Sequence, residues 1–139
     1  MNARFVILIH DHPTLHWDFL LENSNTDLAA TWRLLQEPKC NVWVNAQRIH
    51  DHRRMYLDYE GPVTMGRGTV KKLASGLFSL PCECLIFEPD GSTMLTEHAV
   101  DLTEFRFHHI ADEDSQAATK WQVATFRRNE HGEEFWRFM

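Results

Sequence analysis

No uninterrupted apolar run in this 139-residue sequence approaches the roughly 20 residues that a membrane-spanning helix needs. A helical membrane protein is therefore excluded. The opening Met1-Asn2-Ala3-Arg4 has no secretory signal pattern either, so a cytoplasmic protein is expected. Cysteine is scarce: Cys40, Cys82 and Cys84 are an odd number without framework spacing. That fits a reducing compartment rather than a disulfide scaffold. A Cys82-x-Cys84 metal site is disfavoured, because thiolate zinc sites show paired spacings. Positive charge is in deficit, with 14 Lys and Arg against 20 Asp and Glu and a net charge of −6. A protein that grips nucleic acid without regard to sequence carries a basic footprint, so tight non-specific DNA binding is disfavoured. A glycine-rich phosphate loop is missing too. Gly66-Arg67-Gly68 has no strand–glycine–helix context, and a bulge or bend entering the next strand is expected there.

What is present is concentrated first between Ile9 and Phe19, which hold three histidines and two aspartates. Arg4 to Ile9 is rich in β-branched and aromatic residues and predicts a strand. Asp11-His12-Pro13-Thr14 has turn chemistry, and Leu15 to Glu22 then alternates. Leu15, Trp17, Phe19 and Leu21 fall on one face; His16, Asp18, Leu20 and Glu22 fall on the other. The resulting hairpin returns His10 to the neighbourhood of His16, and His16 and Asp18 stand about 6.5–7 Å apart at Cα. Two imidazoles and a carboxylate suit Mn, Fe, Co or Zn with coordination positions left open. A polar sheet face with unrelated histidines has the same spacing.

A second concentration runs from His50 to Gly61. His52 and Tyr56 lie beside Arg53 and Arg54, which sets proton donors next to cations able to hold phosphate. A solvated loop with ordinary charge is the competing reading. Arg48, Arg53, Arg54, Arg67, Lys71 and Lys72 make this region locally basic against Asp51, Asp58 and Glu60. A local patch of this kind can attract one phosphate within an acidic protein.

Elsewhere Leu28 to Gln36 fits a helical turn or a strand, with Trp32, Leu34 and Leu35 as core. Strands are expected over 69–73, 77–80, 82–87, 93–100 and 103–109, separated by Ser75-Gly76, Pro81, a Pro89-Asp90-Gly91 hairpin turn and Asp101. His108 and His109 face opposite sides of any strand, so at most one could serve a given site. Residues 111–118 read as an acidic loop. A last hairpin turns at Asn129-Glu130-His131-Gly132, with a bulge or twist to reconcile Trp121, Val123 and Phe126. Many short strands and few helix signals predict one all-β domain over 1–139, a small closed or nearly closed barrel with few short helical turns.

The two dense blocks resemble a known family, the 3′-phosphoesterase domain of bacterial DNA ligase D and its stand-alone relatives. The first is His10-Asp11 followed by Leu15-His16-Trp17-Asp18-Phe19-Leu20-Leu21-Glu22; the second is Asp51-His52, Tyr56, Asp58-Tyr59-Glu60-Gly61; a later Gly66-Arg67-Gly68-Thr69-Val70 also matches. The resemblance implies a compact barrel in which His10, His16 and Asp18 bind Mn²⁺, or another divalent transition metal such as Zn²⁺ or Co²⁺. It places His52 and Tyr56 on the substrate phosphate. It further implies removal of 3′-phosphates or 3′-ribonucleosides from nucleic-acid ends, in company with a repair ligase or polymerase, by a monomer. Leu20 departs from the pattern, since the family commonly has an arginine there, and leucine cannot clamp phosphate. Arg48, Arg53 or Arg54 is the expected substitute, and Leu20→Arg is expected to raise turnover. Asp11 is a candidate to orient a ligand histidine or simply to shape its own turn. Two other readings use the same residues. One is a non-haem iron oxygenase built on the His/His/Asp triad; the other is a barrel that binds DNA ends without turnover.

Overall fold

Period-two alternation governs nearly every element. In the computed structural model, which describes residues 3–80, 96–108 and 120–139, the strands are β1 (Ala3–His10), β2 (His16–Glu22), β3 (Leu28–Leu34), β4 (Trp43–Arg53), β5 (Gly61–Pro62), β6 (Thr69–Ser79), β7 (Thr96–Phe107), β8 (Val123–Arg128) and β9 (Glu134–Phe138). A 3-10 turn, Arg54–Leu57, follows β4. Neighbours in the sheet run β1-β2-β3-β4-β9-β8-β7-β6, and β6 pairs back onto β1. The sheet therefore closes into an antiparallel barrel of eight strands, with two-residue β5 set against β6. Closure removes the unpaired edges that an open sheet of this size would expose.

The barrel is filled, not hollow. Phe5, Phe19, Trp32, Trp121, Phe126, Trp136 and Phe138 are buried in one cluster drawn from all parts of the chain. Phe19 packs edge-on against Trp136 at 4.8 Å and Phe138 at 5.1 Å between centroids, the geometry that aromatic quadrupoles favour. A second apolar cluster lies on the outer wall: Val6, Leu8, Leu20, Ala29, Leu57 and Val70, with Tyr56 and Tyr59 packed against it. The 3-10 turn carries Leu57 down onto this patch.

Several expected boundaries move. Leu28 to Leu34 is strand, and Leu35 is exposed rather than core. Ser75-Gly76 does not end a strand, because β6 runs through it. Opposite Gly76, β7 carries two residues where β6 has one, and Glu104 takes a φ of 50°. This bulge brings β7 so near that a Cβ on Gly76 would meet the Thr103 carbonyl oxygen at 2.7 Å. The glycine marks close approach, not a turn. Asp101 likewise lies within continuous β7. At the last hairpin the N–H groups of Gln122 and Val123 both donate to the Met139 carbonyl at 2.8 Å, which is the expected irregularity. The expected strand over 82–87, the turn at 89–91, the loop at 111–118, Cys82, Cys84 and His109 lie outside the described residues.

Candidate metal centre

His10 and His16 are direct cross-strand partners, and Asp18 is paired with Leu8 in the same ladder. Residues opposite one another share a face, and here it is the outer face, since Phe19 and Leu21 fill the interior. His10, His16 and Asp18 present ligand atoms that all lie within 4.8 Å of one another. His10 Nδ1 is 3.5 Å and His16 Nε2 3.4 Å from the Asp18 carboxylate.

Each histidine is oriented by its other nitrogen. His10 donates from Nε2 to the Arg67 carbonyl at 2.8 Å, and His16 donates from Nδ1 to the Thr14 carbonyl at 2.8 Å. Lone pairs are thereby directed at the carboxylate, an arrangement typical of ligand histidines. His16 Nε2 and Asp18 Oδ1 are buried and have no hydrogen-bond partner. Orphaned polar atoms are costly in a protein interior, and a divalent cation would satisfy both. The donor set fits such an ion. Burial pushes the Asp18 carboxyl up, but the neighbouring His10 and His16 imidazoles outweigh it and hold the group well below the usual carboxylate range. The Asp18 carboxylate beside it raises His10 above the ordinary imidazole value, so a proton and a metal ion compete at this position.

The loop after β5 supports His10. Asp11 Oδ1 accepts a hydrogen bond from the Thr69 amide at 2.7 Å, which ties the hairpin turn to the start of β6. Asp11 thus acts one step removed from the ligands, by anchoring the segment that carries the Arg67 carbonyl. Gly68 is needed at the contact: its φ is +77°, and a Cβ there would meet Asp11 Oδ1 at 2.2 Å and His12 Cβ at 2.6 Å. The Gly-x-Gly bend is as the sequence suggests; what the sequence conceals is that a backbone carbonyl within it holds a candidate ligand histidine.

His52 reaches the centre through an irregularity in β4. Ile49 pairs with Thr31 and His52 with Ala29, so His50 and Asp51 together oppose Ala30. Strict alternation from Ile49 would turn His52 inward; the bulge re-aims it outward. Thr31 Oγ1 accepts from the His52 amide at 3.3 Å and donates to the Ala29 carbonyl at 3.0 Å. His52 Nδ1 donates to the His50 carbonyl at 3.2 Å, leaving Nε2 facing Asp18 Oδ2 at 3.9 Å. Burial lowers the His52 imidazole below its ordinary value, against the opposing pull of Asp18. The Tyr56 ring stands edge-on to it with centroids 5.9 Å apart.

The arginines distribute differently from the sequence expectation. Arg48 pairs with inward-facing Trp32 across the strands and sits over its ring at 4.9 Å. Its guanidinium is held by Asp51 at 2.7 Å and by the Thr31 and Ile49 carbonyls. It therefore belongs to the sheet face opposite the centre. Arg54 donates from Nε to Glu22 at 2.8 Å and fastens the 3-10 turn to β2. Arg53 is exposed at the end of β4. Leu20 does share the face of His16 and Asp18, yet it is fully buried in the outer apolar cluster. It forms floor rather than an open subsite. A residue passed over in the sequence, Arg33, stands directly across from Asp18 on β3. The signal was available, because in Leu28–Leu34 a core Trp32 implies that Thr31 and Arg33 face outward.

A family model described as the DNA Ligase D 3′-phosphoesterase domain matches residues 9–134. No curated protein matches the sequence.

Proposed function

Since the chain belongs to the DNA ligase D 3′-phosphoesterase family, we propose that it is a metal-dependent phosphoesterase of nucleic-acid 3′ ends, removing a 3′-phosphate or a 3′-ribonucleoside. The observation that supports this most directly is the pair of buried, partnerless ligand atoms, His16 Nε2 and Asp18 Oδ1, facing one another within a His/His/Asp set. His10, His16 and Asp18 would hold Mn²⁺ or a similar ion. Such an ion supplies Lewis-acid stabilisation of charge on a phosphoryl oxygen and lowers the pKa of bound water.

The remaining roles fall to the chain itself. His52 exchanges a proton with the reacting phosphate ester through Nε2, the nitrogen left free by the bond to the His50 carbonyl. Tyr56 orders the His52 ring by edge-on contact, and its hydroxyl is a candidate donor to the substrate phosphate. The site lies on an outer wall, so a strand end reaches it without entering the barrel. Its product, a 3′-hydroxyl, is what a repair polymerase or ligase requires of a primer, and such enzymes are the partners of choice.

The test uses two labelled primer-templates, one ending in a 3′-phosphate and one in a 3′-ribonucleotide, with and without Mn²⁺. Metal-dependent conversion of either end to a 3′-hydroxyl supports the proposal. Tight, metal-dependent binding of both ends without any product would instead identify an end-binding module.

A further inference from the structure

We infer that Arg33 is the cation that holds the substrate phosphate in this site, in the role that position 20 cannot fill. The inference rests on the phosphoesterase reading above and assigns it a residue. Arg33 is paired with Asp18 in the β2–β3 ladder and with Gln47 in the β3–β4 ladder. It therefore projects from the outer wall in the same row as a metal ligand, between a carboxylate and a neutral amide.

Its state of engagement distinguishes it from Arg4, Arg48 and Arg54. Arg4 is bound to Glu22 and Asp58, Arg48 to Asp51, and Arg54 to Glu22. Arg33 is only half exposed, and its Nε is buried with no hydrogen-bond partner. The one acid directly opposite does not take it: Asp18 faces His10 and His16, and Asp18 Oδ1 lacks any hydrogen bond. An arginine paired across the ladder with a carboxylate that is turned toward other groups has its fork free for a ligand. The ligand chemistry follows from the fork, because planar paired N–H donors match two oxygens of a phosphate. Leu20, two residues beyond Asp18, contributes no charge and lies beneath the surface. Arg33 thus supplies positive charge from the β3 side, while His52 approaches Asp18 from β4.

The test measures phosphate binding rather than turnover. Inorganic phosphate is titrated calorimetrically into Mn²⁺-loaded wild type, Arg33→Ala, Arg33→Lys and Gln47→Ala, with metal content and melting temperature measured alongside. A charge-assisted pair is expected to make Arg33→Ala about ten- to a hundredfold weaker for phosphate. Metal content should be unchanged, Arg33→Lys should recover part of the loss, and Gln47→Ala should bind as wild type. Added guanidinium ion should restore affinity to Arg33→Ala, an effect that a merely structural arginine would not show. Wild-type phosphate affinity in a folded, metal-loaded Arg33→Ala protein would overturn the inference and leave the phosphoesterase reading standing. Absence of phosphate binding by metal-loaded wild type would instead overturn the reading on which it rests.

Discussion

At the residue scale, the proposed function separates the centre into atoms that would hold a metal and atoms that would act on phosphate. His16→Ala and Asp18→Asn each remove a buried candidate ligand and should abolish stoichiometric Mn²⁺ binding, read by metal analysis after gel filtration. His52→Ala should retain the metal and lose roughly 10²–10⁴-fold in turnover, the range for a proton-transferring group. Loss of metal in that variant would make His52 a fourth ligand and overturn the role given to it. Leu20 belongs to a different account. The sequence-based expectation that Leu20→Arg raises turnover takes no notice of its complete burial among Val6, Leu8, Leu57 and Val70. An arginine there must either bury its charge or swing outward and leave a cavity. Both Leu20→Ala and Leu20→Arg should lower stability by about 2–5 kcal/mol, measured as a shift in denaturant midpoint.

At the scale of elements, two irregularities build the site. Thr31→Val keeps the shape but removes the hydroxyl that accepts from the His52 amide in the β4 bulge. It should cost about 1 kcal/mol of stability and reduce turnover while metal binding is unchanged, as activity and metal assays on the same sample would show. Gly68→Ala places a methyl on Asp11 and His12 in a left-handed backbone. Displacing that loop frees the ring of His10, and Mn²⁺ affinity should fall about 10–100-fold, read by metal titration. These elements also mark the limit of what could be read beforehand. Alternation in Leu15 to Glu22 was enough to sort Asp18 from Phe19, because period two carries directly into a strand. The bulge at His50-Asp51 left no such trace, since an extra residue depends on the register of a neighbouring strand. Gly76 was misread as a boundary for the same reason, because its cause sits in β7. Arg33 was overlooked because its partner across the ladder becomes visible only once β2 and β3 are paired.

At the scale of the molecule, the outer wall is tied together by one acid. Glu22 accepts from the Arg4 amide at 3.0 Å and pairs with the side chains of Arg4 and Arg54, which joins β1, β2 and the 3-10 turn. Burial alone would raise its pKa, but the hydrogen bonds with Arg4, together with Arg54, lower it below the ordinary glutamate value. A depressed folded value means that this contribution is complete above the unfolded pKa of about 4.3 and is lost as pH falls through the folded one. Glu22→Gln should therefore melt below wild type at pH 7, with the gap narrowing in acid as the wild-type carboxyl protonates. A gap that is constant with pH would show that packing, not charge, is responsible. The aromatic filling carries a last consequence, in the order of events as the chain folds. Asp18 and Phe19 are neighbours on β2, and Phe19 is fixed by Trp136 and Phe138 of β9. Contacts so distant in sequence close slowly, because loop entropy must be overcome first. The candidate ligands lie together on the local β1–β2 hairpin, but the aromatic that backs them is fixed only when β9 docks, so tight uptake of an ion should come late in folding.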